Sequence, residues 1–260
     1  MQPSFVTPAV PERLRSAWSL LGVALRCPGG RRALSVLSLL LFLAGVATFA
    51  YPVGTDLYSR NQQGNLHSQV GGTKYAADYN MHTIPRGDVL TKLVIRKKGI
   101  ELAVLVVDGT TPVALRAGAG HHDGTPLPGE AGNVGIAGHR TTFCRPFNHL
   151  DELRPGDQVL PYTPTKIYHY LAVKPFAGHA NPWMTTPKDI SVIENLPGQH
   201  ALTLTTCNPK GSARQRLALR LELDPTLTED VRKQGPSGDP ALGWSAERPD
   251  QSYSRFASVG

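Results

Sequence analysis

From Val89 onward the chain breaks into short apolar runs divided by Gly, Pro and Asp. Alternation within those runs puts apolar side chains on one face and polar ones on the other, the period of a half-buried strand. The pattern predicts strands over Val89–Ile95, Glu101–Val107, Asn133–Ala137, Gln158–Tyr162, Lys166–Lys174, Ala201–Thr206 and Gln215–Leu223. Asp108-Gly109 and Arg154-Pro155-Gly156-Asp157 are turn signals between them. Pro112–Arg116 and Phe147–Leu153 have the length of single helical turns. So many short strands make this region all-β, a barrel or a sandwich.

A different texture precedes it. Ala33 to Val53 is 21 residues without a charge, enough for a helix of roughly 30 Å, one hydrocarbon core. The 32 residues ahead of it are a longer leader than a signal peptide carries, so a retained anchor is expected. Arg26, Arg31 and Arg32 lie before the span and Asp56 is the first charge after it. The positive-inside bias then puts the N-terminus in the cytoplasm and the remainder outside the cell.

The expected divisions are a cytoplasmic flexible segment (1–32), a transmembrane signal anchor (33–53) and a polar extracellular stalk (54–88) with a short helix near Tyr75–Tyr79. A catalytic domain (89–223) and a disordered C-terminal tail (224–260) follow. The tail is expected from its density of Pro, Gly and Ser, and its Trp244 is given no role.

The formal charge of +7 does not mark a nucleic-acid binder, because the basic residues are dispersed and several flank the anchor. Three cysteines are too few for a disulfide framework. Cys27 falls on the cytoplasmic side, and Cys144 and Cys207 outside, where thiols oxidise unless protected.

Candidate chemistry gathers around Cys207. Alternation sets Leu202 and Leu204 on one face and Thr203, Thr205 and Cys207 on the other. In the returning run Leu217, Leu219, Leu221 and Leu223 share a face, with Arg214, Arg216, Ala218, Arg220 and Glu222 opposite. If the leucines fill the core, the thiol and the arginines line an outer groove. Alternation alone makes Arg214 and Arg216 equal partners for Cys207. His139 follows Gly138 at the end of an apolar run, where a glycine leaves room for a substrate backbone. His121, His122 and Asp123 invite a metal reading, yet adjacent residues of an extended chain face opposite ways and no third ligand is evident. No metal is expected.

Thr203-Leu-Thr-Thr-Cys207 with Arg216 nine residues on, together with Gly138-His139-Arg-Thr-Thr142, resembles the sortases, membrane-anchored cysteine transpeptidases of Gram-positive bacteria. The likeness runs from about Val89 to Leu223 and includes Gly120-His121, Leu127-Pro-Gly-Glu130 and Leu150-Asp-Glu-Leu-Arg-Pro-Gly-Asp157. Thr-Thr-Cys207-x-Pro-Lys-x-Ser-Ala-Arg-x-Arg216 is most similar to class E sortases of actinobacteria.

This resemblance implies a closed sortase-type β-barrel with short helices in its connecting loops, and it selects Arg216 over Arg214. It implies Cys207 as nucleophile, His139 as proton carrier, Arg216 as oxyanion donor, and Thr205, Thr206 and Asn208 as substrate-binding. The implied substrates are secreted proteins with a C-terminal signal of the Leu-Ala-x-Thr-Gly type, cut between Thr and Gly. The implied acceptor is a peptidoglycan precursor (lipid II) or another cell-wall amine, and no cofactor is implied.

Two positions depart from the class. Asn208 stands where a histidine is usual. Cys144, five residues after His139, is either a lone thiol or a disulfide partner that would silence Cys207. The alternatives are a pilin-polymerising class C sortase, a plain cysteine peptidase, or an inactive tethered binding module. The tail after Leu223 has no apolar run long enough for the second membrane helix of class C.

Overall fold

The computed structural model describes residues 28–70, 79–97, 100–175 and 178–230. Cys27, positions 75–78 of the expected short helix, and the tail from 231, Trp244 included, lie outside the described residues. The chain divides into two compact units, 1–51 and 52–260.

Helix α1 (Pro28–Val70) contains the whole uncharged span, and its Gly29–Ser68 portion is long and apolar enough to cross a membrane. Leu40, Leu41, Phe42 and Phe49 are all exposed on it, Phe49 by 86%.

The segment expected to be a stalk differs from that expectation. From Pro52 the helix continues to Val70, and Thr55, Asp56, Ser59 and Gln63 are buried on one face of it. Two of these side chains, Asp56 and Gln63, reach groups of the domain, whereas the Thr55 hydroxyl donates to the Pro52 carbonyl of its own helix. Gln63 accepts from the Leu105 N–H at 2.9 Å and donates to the Ala117 carbonyl. Gly118 leaves the room for that amide, because a Cβ there would collide with it.

The domain is a closed barrel. Its strands are β1 (Val89–Lys97), β2 (Ile100–Asp108), β3 (Ala119–His121), β4 (Gly132–Ala137), β5 (Gln158–Tyr162), β6 (Lys166–Ile167) and β7 (Tyr170–Ala172). They continue with β8 (Trp183–Thr185), β9 (His200–Asn208), β10 (Gln215–Leu223) and β11 (Glu229–Asp230). The order β1-β2-β3-β4-β9-β10-β7-β5 returns to β1, a ring of eight. Within it β2–β3 and β4–β9 are parallel, and the other pairs antiparallel. Closure removes the sheet edges that an open sheet would leave unpaired.

Helix α2 (Pro112–Ala117) is capped by Thr111, whose hydroxyl accepts from the Ala114 N–H at 3.2 Å. The core holds the leucine faces read from the sequence: Leu202, Leu204, Leu217, Leu219 and Leu221 pack with Leu93, Val104, Ile136 and Phe147.

The long strand expected over Lys166–Lys174 is instead two short ones, β6 and β7. Strands β3, β8 and β11 were not expected. At two or three residues each, they are too short to carry a readable alternation.

Candidate active site

The pairing of β9 with β10 settles which arginine stands by the thiol. Arg216 is opposite Cys207, Ala218 opposite Thr205, and Arg220 opposite Thr203. Arg214 lies beyond the paired residues. Directly opposed Cβ atoms in an antiparallel pair are about 5 Å apart, so sulfur and guanidinium start from adjacent positions on the outward face. The Arg216 Nη1 donates to the carbonyls of Ala213 and Gln215, both at 3.2 Å. Its fork is therefore tied to the β9–β10 turn.

Farther along the same face the groove closes. Arg220 Nε donates to Thr203 Oγ1 at 2.7 Å, and that hydroxyl donates to Asn133 Oδ1 at 2.7 Å. Arg220 and Asn133 both donate to the Val192 carbonyl, from the turn over Ser191–Ile193. What stays partly open is the end that carries Cys207 and Arg216, both half-buried.

Strand β4 brings the histidine. It runs parallel to β9 with Gly132 beside His200 and Ala137 beside Thr205, a constant offset of 68 residues. His139 follows two residues after the last of these pairs, as Cys207 does on β9. Two bonds prolong the ladder: the Gly138 N–H donates to the Thr205 carbonyl at 3.1 Å, and Thr206 Oγ1 donates to the Gly138 carbonyl at 2.8 Å.

The His139 ring lies against Phe143, with centroids 4.9 Å apart and planes at 38°. Burial lowers its pKa below the ordinary 6.5, and the positive charge of Arg116 lowers it further.

Gly138 does not leave space for a substrate. A Cβ there would sit 2.7 Å from Cδ2 of Phe147, a ring 1% exposed, so the vacancy is already filled by the core.

Arg140, which the sequence reading left without a role, is the best-anchored charge of the site at 4% exposure. Its Nη1 donates to the Cys207 carbonyl at 3.3 Å and to Asn208 Oδ1, and its Nη2 pairs with Asp151 at 3.0 Å. Asn208 completes this by donating toward Met184 Sδ and Gln215 Oε1, both 3.2 Å away. The Asn208 amide and the Thr206 hydroxyl are thus engaged by the protein itself. Thr205 Oγ1 lies 3.4 Å from His122 Nε2.

The two adjacent histidines part company as alternation requires. His121 is buried between Asp108 and the Pro126 carbonyl, each at 3.1 Å. His122 turns toward Thr205, and its pKa is lowered by burial and by the neighbouring His121. Among the described residues no cluster of three or more His, Cys, Asp or Glu is arranged to hold a metal.

The loop after His139 contains Phe143, Cys144 and Arg145 in left-handed conformation, with φ of 53°, 61° and 50°. Each such non-glycine residue costs on the order of 1 kcal/mol or more. Neither Cys144 nor Cys207 is in a disulfide. The Cys144 sulfur is instead directed at the Asp56 carbonyl, 3.5 Å away, and is 6% exposed.

The barrel thus pairs a cysteine and an arginine across two strands, with a histidine just past the end of the strand that runs beside them. A family model described as a sortase domain matches residues 93–224, half of the chain, and the chain belongs to the sortase family. Its likeness is to class E members.

Sortase SrtE1 of Streptomyces coelicolor is 31% identical over 134 residues, covering 45% of this chain and 36% of that protein. Sortase E of Streptomyces avermitilis superposes with a TM-score of 0.50 at 30% identity, over 59% of this chain and 98% of that one. The SrtF sortase of Corynebacterium diphtheriae gives 0.51 at 28% identity, over 62% and 94%. The chain spans from 36% to 55% of the lengths of the curated relatives it matches.

Proposed function

We propose that this chain is a membrane-anchored cysteine transpeptidase, with its N-terminus cytoplasmic and its barrel outside the cell. Its substrates would be secreted proteins ending in a Leu-Ala-x-Thr-Gly type signal. What supports this reading is Cys207 opposite Arg216 on paired strands, with His139 two residues past the end of β4, the strand that runs beside β9.

In the first half-reaction the Cys207 sulfur attacks the signal's threonine carbonyl. The Thr–Gly amide bond breaks, a thioester forms, and His139 gives its proton to the departing glycine amine. Arg216 donates to the oxyanion, an interaction worth roughly 3 kcal/mol when well aimed. Its Nη1 is engaged by the exposed Ala213 and Gln215 carbonyls, so the donors on Nε and Nη2 are the ones to meet the oxyanion. In the second half-reaction an amine of a cell-wall precursor attacks the thioester, His139 takes its proton, and Cys207 is released as the thiolate, which restores the starting pair.

The test uses the full chain in detergent micelles with a fluorogenic Leu-Ala-x-Thr-Gly peptide, an added amine and mass spectrometry. The expected results are a Cys207-linked acyl adduct, transfer to the amine in excess of hydrolysis, and loss of both in Cys207→Ala. A Cys207→Ala protein that still processes the peptide would refute the reading. Replacing Ala by Pro in the second signal position tests the class E preference.

A further inference from the structure

The part of α1 that follows Pro52 reaches the His139 loop through one carboxylate. Asp56, 9% exposed, accepts from the Cys144 N–H at 2.8 Å through Oδ1 and pairs with Arg145 Nη2 at 3.0 Å through Oδ2. Its backbone carbonyl faces the Cys144 sulfur. Two residues on, Tyr58 meets Phe143 edge-on, centroids 6.4 Å apart and planes at 78°. Phe143 carries the His139 ring on another side, and Arg116 of α2 lies over the Phe143 ring, 6.0 Å from its centroid.

Phe143, Cys144 and Arg145 form a left-handed run without a glycine, a conformation that does not sustain itself. Its buried middle N–H donates to the Asp56 carboxylate, and Arg145 beside it pairs with the same group, so Asp56 holds the run at two points. Relaxation of the run moves Phe143, and Phe143 is what the His139 ring rests on.

We propose that Asp56 is a positioning residue for His139, acting through the Phe143–Arg145 turn, so that the helix continuing from the apolar span is a working part of the active site. This rests on the reading of His139 as the proton carrier. Arg116 from α2 is the charge that acts on the ring, while Asp56 and Arg145 pair with each other at the turn and the adjacent Arg140 pairs with Asp151. Cys207 and Arg216 stand on the neighbouring strands.

The experiment compares Asp56→Ala, Asp56→Asn and Tyr58→Ala with the parent full chain in micelles. It reads peptide kinetics together with the His139 ionisation by NMR. In Asp56→Ala the His139 pKa is expected to rise toward 6.5, because burial is the main cause of its lowering. The value of kcat is expected to fall about tenfold or more, with KM held within about twofold. Asp56→Asn, whose amide oxygen still accepts from Cys144, should recover most of both.

A folded Asp56→Ala protein with the parent His139 pKa and kcat overturns the proposal. If that variant does not fold, Tyr58→Ala decides in the same way: a shifted His139 pKa with reduced kcat supports it, an unchanged pKa overturns it. Activity retained in His139→Ala would instead overturn the catalytic reading, and the NMR arm would still decide the role of Asp56.

Discussion

Arg140 holds Cys207 by its backbone: a guanidinium 4% exposed donates to the carbonyl of the residue whose sulfur is the proposed nucleophile. The same fork grips Asn208 and Asp151, so the end of β9 is tied to the 3-10 turn over Leu150–Glu152. Arg140→Ala removes these donors and leaves partly buried acceptors on β9. The expected loss is about 2 kcal/mol of stability, since Asp151 is partly exposed and water can take over its share. Arg140→Lys should recover less than half of that, because one ammonium cannot span three acceptors held by a planar fork. Urea denaturation of the three proteins checks this, and equal stability of Lys and Arg at this position would contradict it.

The register of β9 against β10 makes a sharper claim about the two arginines. Arg216→Ala should lower kcat/KM by about a hundredfold or more, the size of one lost oxyanion donor. Arg214→Ala, outside the paired residues, should stay within about threefold of the parent, as a peripheral charge does. Steady-state kinetics on the sorting peptide separate them. Equal losses would mean that the pairing does not dictate the chemistry.

Much of this was legible in the sequence because barrel strands announce themselves by alternation. The leucine faces of Leu202–Leu204 and Leu217–Leu221 are core, and Cys207 lies on the outward face with the arginines. The selection of Arg216 came from the family resemblance, since a register cannot be read from one strand at a time.

What stayed hidden has a common physical form. Gln63, Asp56 and Arg140 are polar residues that look solvent-facing in a sequence, yet each is buried because it pairs with backbone groups far along the chain. The only signal for the first two was their shared face, with Ser59, on one side of a helix running beyond the apolar span. Gly138 was misread for a related reason: a missing Cβ tells of a close neighbour, not of which neighbour it is.

The pH dependence follows from the histidines. A fully protonated thiol–imidazolium pair has neither nucleophile nor base, so the acidic limb of kcat/KM reports the pair's first proton loss. The lowered His139 pKa places that limb below 6.5. Arg116 contributes to the lowering, so Arg116→Gln should move the limb to higher pH.

Stability has a matching sign. The pKa values of His122, His139 and His169 are all lowered in the fold. The unfolded chain therefore binds more protons at these residues, and folding weakens as pH falls through 6.5. Carboxylates such as Glu152, held at about 2, act only below the ordinary range near 4.5. A thermal midpoint lower at pH 5.5 than at pH 7.5 is expected, and a flat or inverted profile would contradict the histidine assignment.

Gly138 gives the most direct geometric prediction. An alanine Cβ there would stand 2.7, 2.8 and 3.1 Å from three carbons of the Phe147 ring. That ring cannot retreat, since it is 1% exposed and packed in the core with Leu150 and Leu153. The backbone must move instead, and it is fastened: Gly138 is bonded to both Thr205 and Thr206, and the Phe147 N–H donates to the His139 carbonyl at 3.1 Å. Overpacking of this kind costs about 1–3 kcal/mol, and here it also displaces His139, the next residue. Gly138→Ala should therefore lose stability and kcat together. Phe147→Leu opens space at the same point, so the double variant should be more stable than the sum of the single losses by at least about 0.5 kcal/mol. Strict additivity in urea denaturation would show that the two side chains do not compete for that space.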